Sequence, residues 1–276
     1  MTGAWVTRLV VIGLAGILTA CASGRGGAPS ERQAAASAPP STASAIESAT
    51  PPDHTSGSVP APGDLPVMEE GPISPGTYVV MPPGEGWFEC VEGVDCAPPP
   101  DHARTMQLEI TVPDGWESLE GFDNKAIVPS PGSSEGPDGA GLAIGWYAAG
   151  LHTDPCRPVP HSTPDILIGP SAEDFVDAVV AHPLLDVTDP VEVQLGDFSG
   201  QFLTLTAPSD ISDCVDWRPW EHGIYAQGPN NFWNLWVMDV DGLRFIILAQ
   251  EFPGTSADDS ADLRAMVESI RFVPSP

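Results

Sequence analysis

The residue whose surroundings specify a chemistry most closely is Cys21, which closes the tetrapeptide Leu18-Thr19-Ala20-Cys21. Small residues before a cysteine, after a short apolar run, are the pattern at which a bacterial thiol is alkylated by diacylglycerol and becomes the first residue of the mature chain. Arg8 supplies the positive charge ahead of that run, and residues 9–18 (LVVIGLAGIL) form it. The run is far shorter than the roughly 18–20 apolar residues that span a bilayer, and no later segment approaches that length. Two acyl chains on one cysteine give stable attachment, where one would hold only marginally. Residues 1–20 are therefore expected to be a signal peptide. Lipidated Cys21 is expected to anchor the chain to the cell membrane on its extracytoplasmic face.

Other residue groups match chemical patterns by type and fail them by context. Gly132-Ser133-Ser134-Glu135-Gly136 fits the G-x-S-x-G of serine hydrolases, but it lies in a Pro/Gly/Ser loop with no helix to follow. Asp239-Val240-Asp241-Gly242 resembles part of a calcium loop, yet the ligand positions at its two ends would be Val237 and Leu248. Glu85, Glu89, Glu92 and Asp95 share one loop and form the better cation candidate, although a charge run is ordinarily a solvated surface. His152, Cys156 and His161 are of soft-metal type without zinc-ligand spacing. His102 and His222 have no spaced acid or nucleophile beside them. No catalytic residue, metal or cofactor is expected.

The stretch Trp217-Arg218-Pro219-Trp220 is the most suggestive of binding. Two indoles and a guanidinium around a rigid proline suit a protein anchor or a sugar ring, if they are exposed. If they are not, the same tryptophans close the end of a sheet. Net charge is −28, with 38 acidic against 10 basic residues, which disfavours nucleic acid, since phosphate binding needs clustered Lys and Arg.

Four cysteines remain beyond Cys21: Cys90, Cys96, Cys156 and Cys214. An even count in an exported chain implies two disulfides, with three pairings open. Cys90 and Cys96 lie close enough to bridge locally, and a bridge between Cys156 and Cys214 would tie two distant loops.

The elements that must position these residues begin late. Residues 21–68 are Ala, Ser, Pro, Thr and Gly with scattered apolar side chains, too few to offset the entropy of ordering. They are expected to form a disordered tether averaging about 35–40 Å end to end. Residues 69–276 are expected to form one domain. Strands are expected near residues 75–80, 105–112, 124–128, 141–148, 191–195 and 201–206. A hairpin over residues 232–250 should turn at Asp241-Gly242, with Asp239 opposite Arg244 and Trp236 opposite Ile247. Both faces of that hairpin are apolar, so both need covering. Ser171 should cap a helix whose face carries Phe175, Val176, Val179 and Val180. A second helix, over residues 257–270, should bury Leu263, Met266, Val267 and Ile270.

Taken together, Pro75-Gly76-Thr77-Tyr78, Val112-Pro113-Asp114-Gly115-Trp116, Asp154-Pro155-Cys156, Gly169-Pro170-Ser171, Asp213-Cys214, Asp239-Val240-Asp241-Gly242 and Ser269-Ile270-Arg271-Phe272 resemble a family of uncharacterised actinobacterial secreted proteins and lipoproteins. The Pro-x-Gly-Trp turn and the closing helix before Ser-Ile-Arg-Phe are also similar to PsbP-like domains and the LpqN type of lipoprotein. The resemblance implies an α+β fold, a mainly antiparallel sheet covered by helices as an α-β-α sandwich. It also implies the pairing of Cys156 with Cys214, and no catalytic residues. PsbP-like domains are chiefly binding and assembly factors. The reading is a lipid-anchored, non-enzymatic binding or assembly module of the cell envelope, with an envelope protein or glycan as partner. A hydrolase acting on envelope material and a small-molecule or lipid carrier are the alternatives.

Overall fold

A computed structural model describes residues 65–80, 106–120, 125–130, 132–145, 150–156, 164–220 and 225–274. Cys21, Cys90 and Cys96 lie outside the described residues, as do the signal segment, nearly all of the tether, the acidic loop, His102, His161 and His222. All the described residues fall in one unit, Gly57–Pro276.

In chain order the first strands are β1 (Gly71–Ile73), β2 (Gly76–Val80), β3 (Met106–Val112), β4 (Trp116–Glu120), β5 (Lys125–Pro129) and β6 (Gly141–Ile144). Short strands β7 (Gly150–Leu151) and β8 (Ile166–Leu167) precede helix α1 (Ala172–Val180). Then come β9 (Asp186–Val187), β10 (Val191–Leu195), β11 (Phe198–Thr206), β12 (Phe232–Val240) and β13 (Leu243–Glu251). Helix α2 (Ala257–Ser269) and β14 (Arg271–Pro274) finish the chain. A nine-stranded antiparallel sheet runs β1-β4-β5-β6-β13-β12-β11-β10, with β9 also on β11, and a smaller sheet runs β14-β3-β2.

The β12–β13 hairpin sits at the centre and takes the register its sequence predicts, with Trp236 opposite Ile247 and Asp239 opposite Arg244. Asp241 and Gly242 adopt φ of 54° and 80°, the left-handed pair that a tight turn between twisted strands requires. Trp233, Leu235 and Val237 enter one core with Ile246 and Leu248; Met238 enters the other with Phe245 and Ile247.

The expected α-β-α sandwich is overturned: the protein is mostly antiparallel sheet, with two helices among the described residues, and helices do not cover it. Lengths explain why. Nine and thirteen helical residues span only about 14 and 20 Å, whereas eight strands side by side are about 34 Å wide. On one face the small sheet β14-β3-β2 shares the work with α2, contributing Val80, Leu108, Ile110 and Val112 to the core. On the other face, loops complete what α1 begins. The spacing that identified both helices did not reveal that the tail after α2, Arg271–Pro274, would form a strand paired with β3.

Ser171 caps α1 in a reciprocal box with Asp174, whose carboxylate accepts from the Ser171 hydroxyl at 2.7 Å and its amide at 3.0 Å. Those bonds, the hydroxyl foremost, hold the Asp174 carboxyl below the usual carboxylate range, with Arg244 adding a smaller push in the same direction. Phe175, Val176 and Val179 are buried, whereas Val180 is 46% exposed. At 100° per residue it lies on the flank of that face.

Beyond α1, Cys156 and Cys214 are disulfide-bonded. Around the bond, residues 151–155 run beside 218–220: His152 N–H donates to Pro219 O at 2.8 Å, and Arg218 N–H to Pro155 O at 2.7 Å. His182, 5% exposed, ties α1 to the same place by donating from Nε2 to His152 O at 2.8 Å while Nδ1 accepts from Leu184 N–H at 3.2 Å.

This bond closes a separation of 58 residues, and loop entropy then assigns it about 4 kcal/mol. Cys156→Ser with Cys214→Ser is expected to lower unfolding free energy by up to that amount in denaturant titration. A loss under about 1 kcal/mol would show that the flanking backbone bonds hold the loops without it.

Candidate functional site

The Trp217–Trp220 stretch does not form a surface. Trp217 is 3% exposed and Trp220 0%, and both pack on fully buried Trp233, with ring centroids 5.6 and 5.4 Å away. Trp220 also meets Phe175 of α1 edge-on at 5.5 Å. Their indoles fill the gap that α1 is too short to cover, so they are not available to stack on a partner. Arg218 is held beside them, with Nη2 donating to Asp216 at 3.1 Å and its guanidinium 5.6 Å from the Tyr225 ring centre. Of the two readings the sequence leaves open, the burial of Trp217 and Trp220 favours the one in which they close the end of the sheet, with Arg218 half-buried beside them.

A cleft opens on the other face, between α2 and strands β10 to β13. One row of cross-strand neighbours shows how it arises: Ile144, Ile247, Trp236, Phe202 and Val191. Ile144 and Ile247 are fully buried beneath the small sheet and α2. Trp236 and Phe202 are half-buried, and Val191 is 57% exposed. The cover runs out partway along an apolar row. The cleft left behind has a volume near 420 Å³, floored by Leu195, Phe202 and Trp236 and walled by Leu263 and Val267 of α2. The Phe202 and Trp236 rings lie 4.9 Å apart at a tilt of 52°.

A fixed polar chain closes one end. Thr204 Oγ1 donates to Asn234 Oδ1 at 2.9 Å, and Asn234 Nδ2 donates to Glu251 Oε1 at 2.8 Å. The other oxygen of Glu251 accepts a short hydrogen bond from the Ser260 hydroxyl on α2. With both oxygens engaged, the Glu251 carboxylate is oriented before any ligand arrives. Arg264 and Glu268 stand on the exposed rim of α2.

This arrangement offers an apolar floor and pre-oriented acceptors. Ser260 donates to the Glu251 carboxylate, and among the described residues no imidazole lines the cleft. The G-x-S-x-G stretch is a loop between β5 and β6, where Ser133 Oγ accepts from Glu135 N–H and Ser134 O accepts from Gln250. Asp239–Gly242 is the β12–β13 turn, with Gly242 N–H donating to Asp239 Oδ1 at 2.7 Å.

Sequence reasoning placed Trp236 correctly on its strand but missed the cleft. The legible signal was Asn234, a polar residue on the same face as Trp236 in the middle of a mostly apolar strand.

No protein family and no curated protein matches the chain. Among solved structures, the chain is loosely similar to LpqN, described as involved in cell envelope biogenesis of Mycobacterium tuberculosis. The two share 15% identity over 61% of this chain and 84% of that one, with a TM-score of 0.34. A superposition that loose assigns neither fold nor function to this protein.

The two kinds of tryptophan are separable by stability. Trp233→Ala, and Trp217→Ala with Trp220→Ala, are expected to cost about 3–5 kcal/mol per buried ring. Trp236→Ala is expected to cost about half of one such loss or less. Thermal and denaturant melts of the three variants check this, and equal losses at Trp236 and Trp233 would mean the cleft is closed.

Proposed function

We propose that this chain is a non-enzymatic binding module, held on the extracytoplasmic face of the membrane by lipid on Cys21, that offers the α2 cleft to an envelope protein or glycan. The observation that supports this most is the uncovered end of the apolar row, Trp236 and Phe202, beside the pre-oriented Glu251. Aromatic side chains at a partly exposed, rigid site concentrate binding energy, and the polar chain fixes the orientation of what binds. A carrier of a small apolar molecule is the second reading, because the cleft volume falls in the range of such sites.

A photo-crosslinking residue in place of Arg264, on the rim of α2, reports what the cleft meets in intact cells. A protein or glycan adduct that falls at least about tenfold in a Trp236→Ala background supports the module, because losing an aromatic anchor costs about 2 kcal/mol or more. A small lipid adduct with the same dependence selects the carrier. Adducts indifferent to Trp236→Ala overturn both. In the same cells Cys21→Ala is expected to shift the protein out of the detergent phase. A variant that still partitions and matures like the parent removes the anchor from the account.

A further inference from the structure

The α2 cleft is one of two openings that flank the same strand. Among the described residues, the large sheet ends at β10, whose outer side pairs with no strand. On the α1 face, beside that strand, lies a second cleft of about 760 Å³. Its lining includes Glu173, Glu192, Gln194, Gln201 and Asp239 and no lysine or arginine. The two clefts therefore meet at one open edge, apolar and aromatic on the first face, polar and acidic on the second.

Backbone geometry sets which groups that edge offers. Strands β10 and β11 are joined by a two-residue loop, Gly196-Asp197, with Gly196 at φ 59°. In such a hairpin the closing pair, Leu195 and Phe198, is hydrogen-bonded, and bonded pairs then alternate along the ladder. Val193 and Val191 follow Leu195 in facing β11. The amide and carbonyl groups of Glu192 and Gln194 are left pointing outward. The side chains of these two residues line the acidic cleft, while Leu195 lines the aromatic one.

We propose that β10 takes up an extended segment of a partner protein as an added antiparallel or parallel strand, and that this segment alternates basic and apolar residues. Residues paired opposite Glu192 and Gln194 share their face, where Glu173, Glu192 and Asp239 favour lysine or arginine. The intervening residues fall on the other face and continue the row of Ile247, Trp236, Phe202 and Val191. Main-chain bonds supply part of the affinity, and the two clefts supply the specificity. The inference names the partner class for the binding module proposed above, and rests on that reading for the use of the α2 cleft. The charges at Asp186, Asp189 and Glu192 and the proline at Pro190 are what keeps such an edge from pairing with copies of itself.

The test uses the full lipidated chain in detergent and an octapeptide of alternating lysine and valine as probe. Binding by the lysine–valine peptide and not by its glutamate–valine counterpart is expected, with slower hydrogen exchange at Glu192 and Gln194. Gln194→Pro removes an outward N–H without touching the β11 ladder, and should weaken binding at least about tenfold. Methylating the peptide amides on alternate residues, in each of the two phases, repeats the test without altering the protein. Strand addition requires one phase to abolish binding and the other to leave it. Binding indifferent to both phases would be plain charge attraction and would overturn the proposal. A dimer of the chain that Gln194→Pro dissolves would also overturn it, by making a second copy the occupant. Trp236→Ala separates the two readings. Peptide binding that survives this substitution but is lost in Gln194→Pro keeps the strand and rejects the cleft, and the reverse pattern does the opposite.

Discussion

Burying both faces of the β12–β13 hairpin is the constraint on which the rest of the structure depends. Trp233, Leu235, Val237, Ile246 and Leu248 demand cover on one side, and Met238, Phe245 and Ile247 on the other. At about 25 cal/mol per Å² of apolar surface, neither set can be left in water. The chain meets the first demand with α1 and a disulfide-tied pair of loops carrying Trp217 and Trp220. It meets the second with a small sheet and α2, which Trp116 joins to β4 through an indole bond to Asp262 at 3.1 Å. The layers of this protein follow from a two-faced strand pair in want of partners.

The cleft is where the second cover stops. Helix α2 sits over β13 and β3, so the apolar row continuing through Trp236 and Phe202 to Val191 emerges from beneath it. Across the other face the corresponding surface of β10 and β11 is Glu192, Gln194, Ser199 and Gln201, side chains that need no cover. One edge of the sheet thus presents opposite chemistries on its two sides. The partner chemistry inferred for β10 comes from that contrast. Glu251 matters to it because its carboxylate joins Asn234 of the sheet to Ser260 of the helix and so fixes the width of the cleft at that end.

Local features were readable from the sequence because they are set by local physics. Ser171 with carboxylates behind it stated a helix start, Asp241-Gly242 stated a tight turn, and the spacing of Leu263, Met266, Val267 and Ile270 stated a buried helical face. The fold class was misread because covering a wide sheet is a question of total length, and short strands such as β1, β9 and β14 carry too few residues to show a period. The Trp217–Trp220 stretch stayed open between two readings for a related reason. Two tryptophans in a loop after a cysteine look the same whether they face water or close a core, and the extent of α1 decides between these. Trp236, on the most legible strand of all, was left half-buried by what did not reach it.

The account therefore turns on which tryptophans meet water. Fluorine NMR on the 5-fluorotryptophan-labelled full chain, assigned by single Trp→Phe variants, reads this directly through the solvent isotope shift between light and heavy water. The structure predicts a clear shift at Trp236 and none at Trp217, Trp220 or Trp233. A shift at Trp217 or Trp220 with a silent Trp236 would place the open aromatic surface on the opposite face and contradict the account.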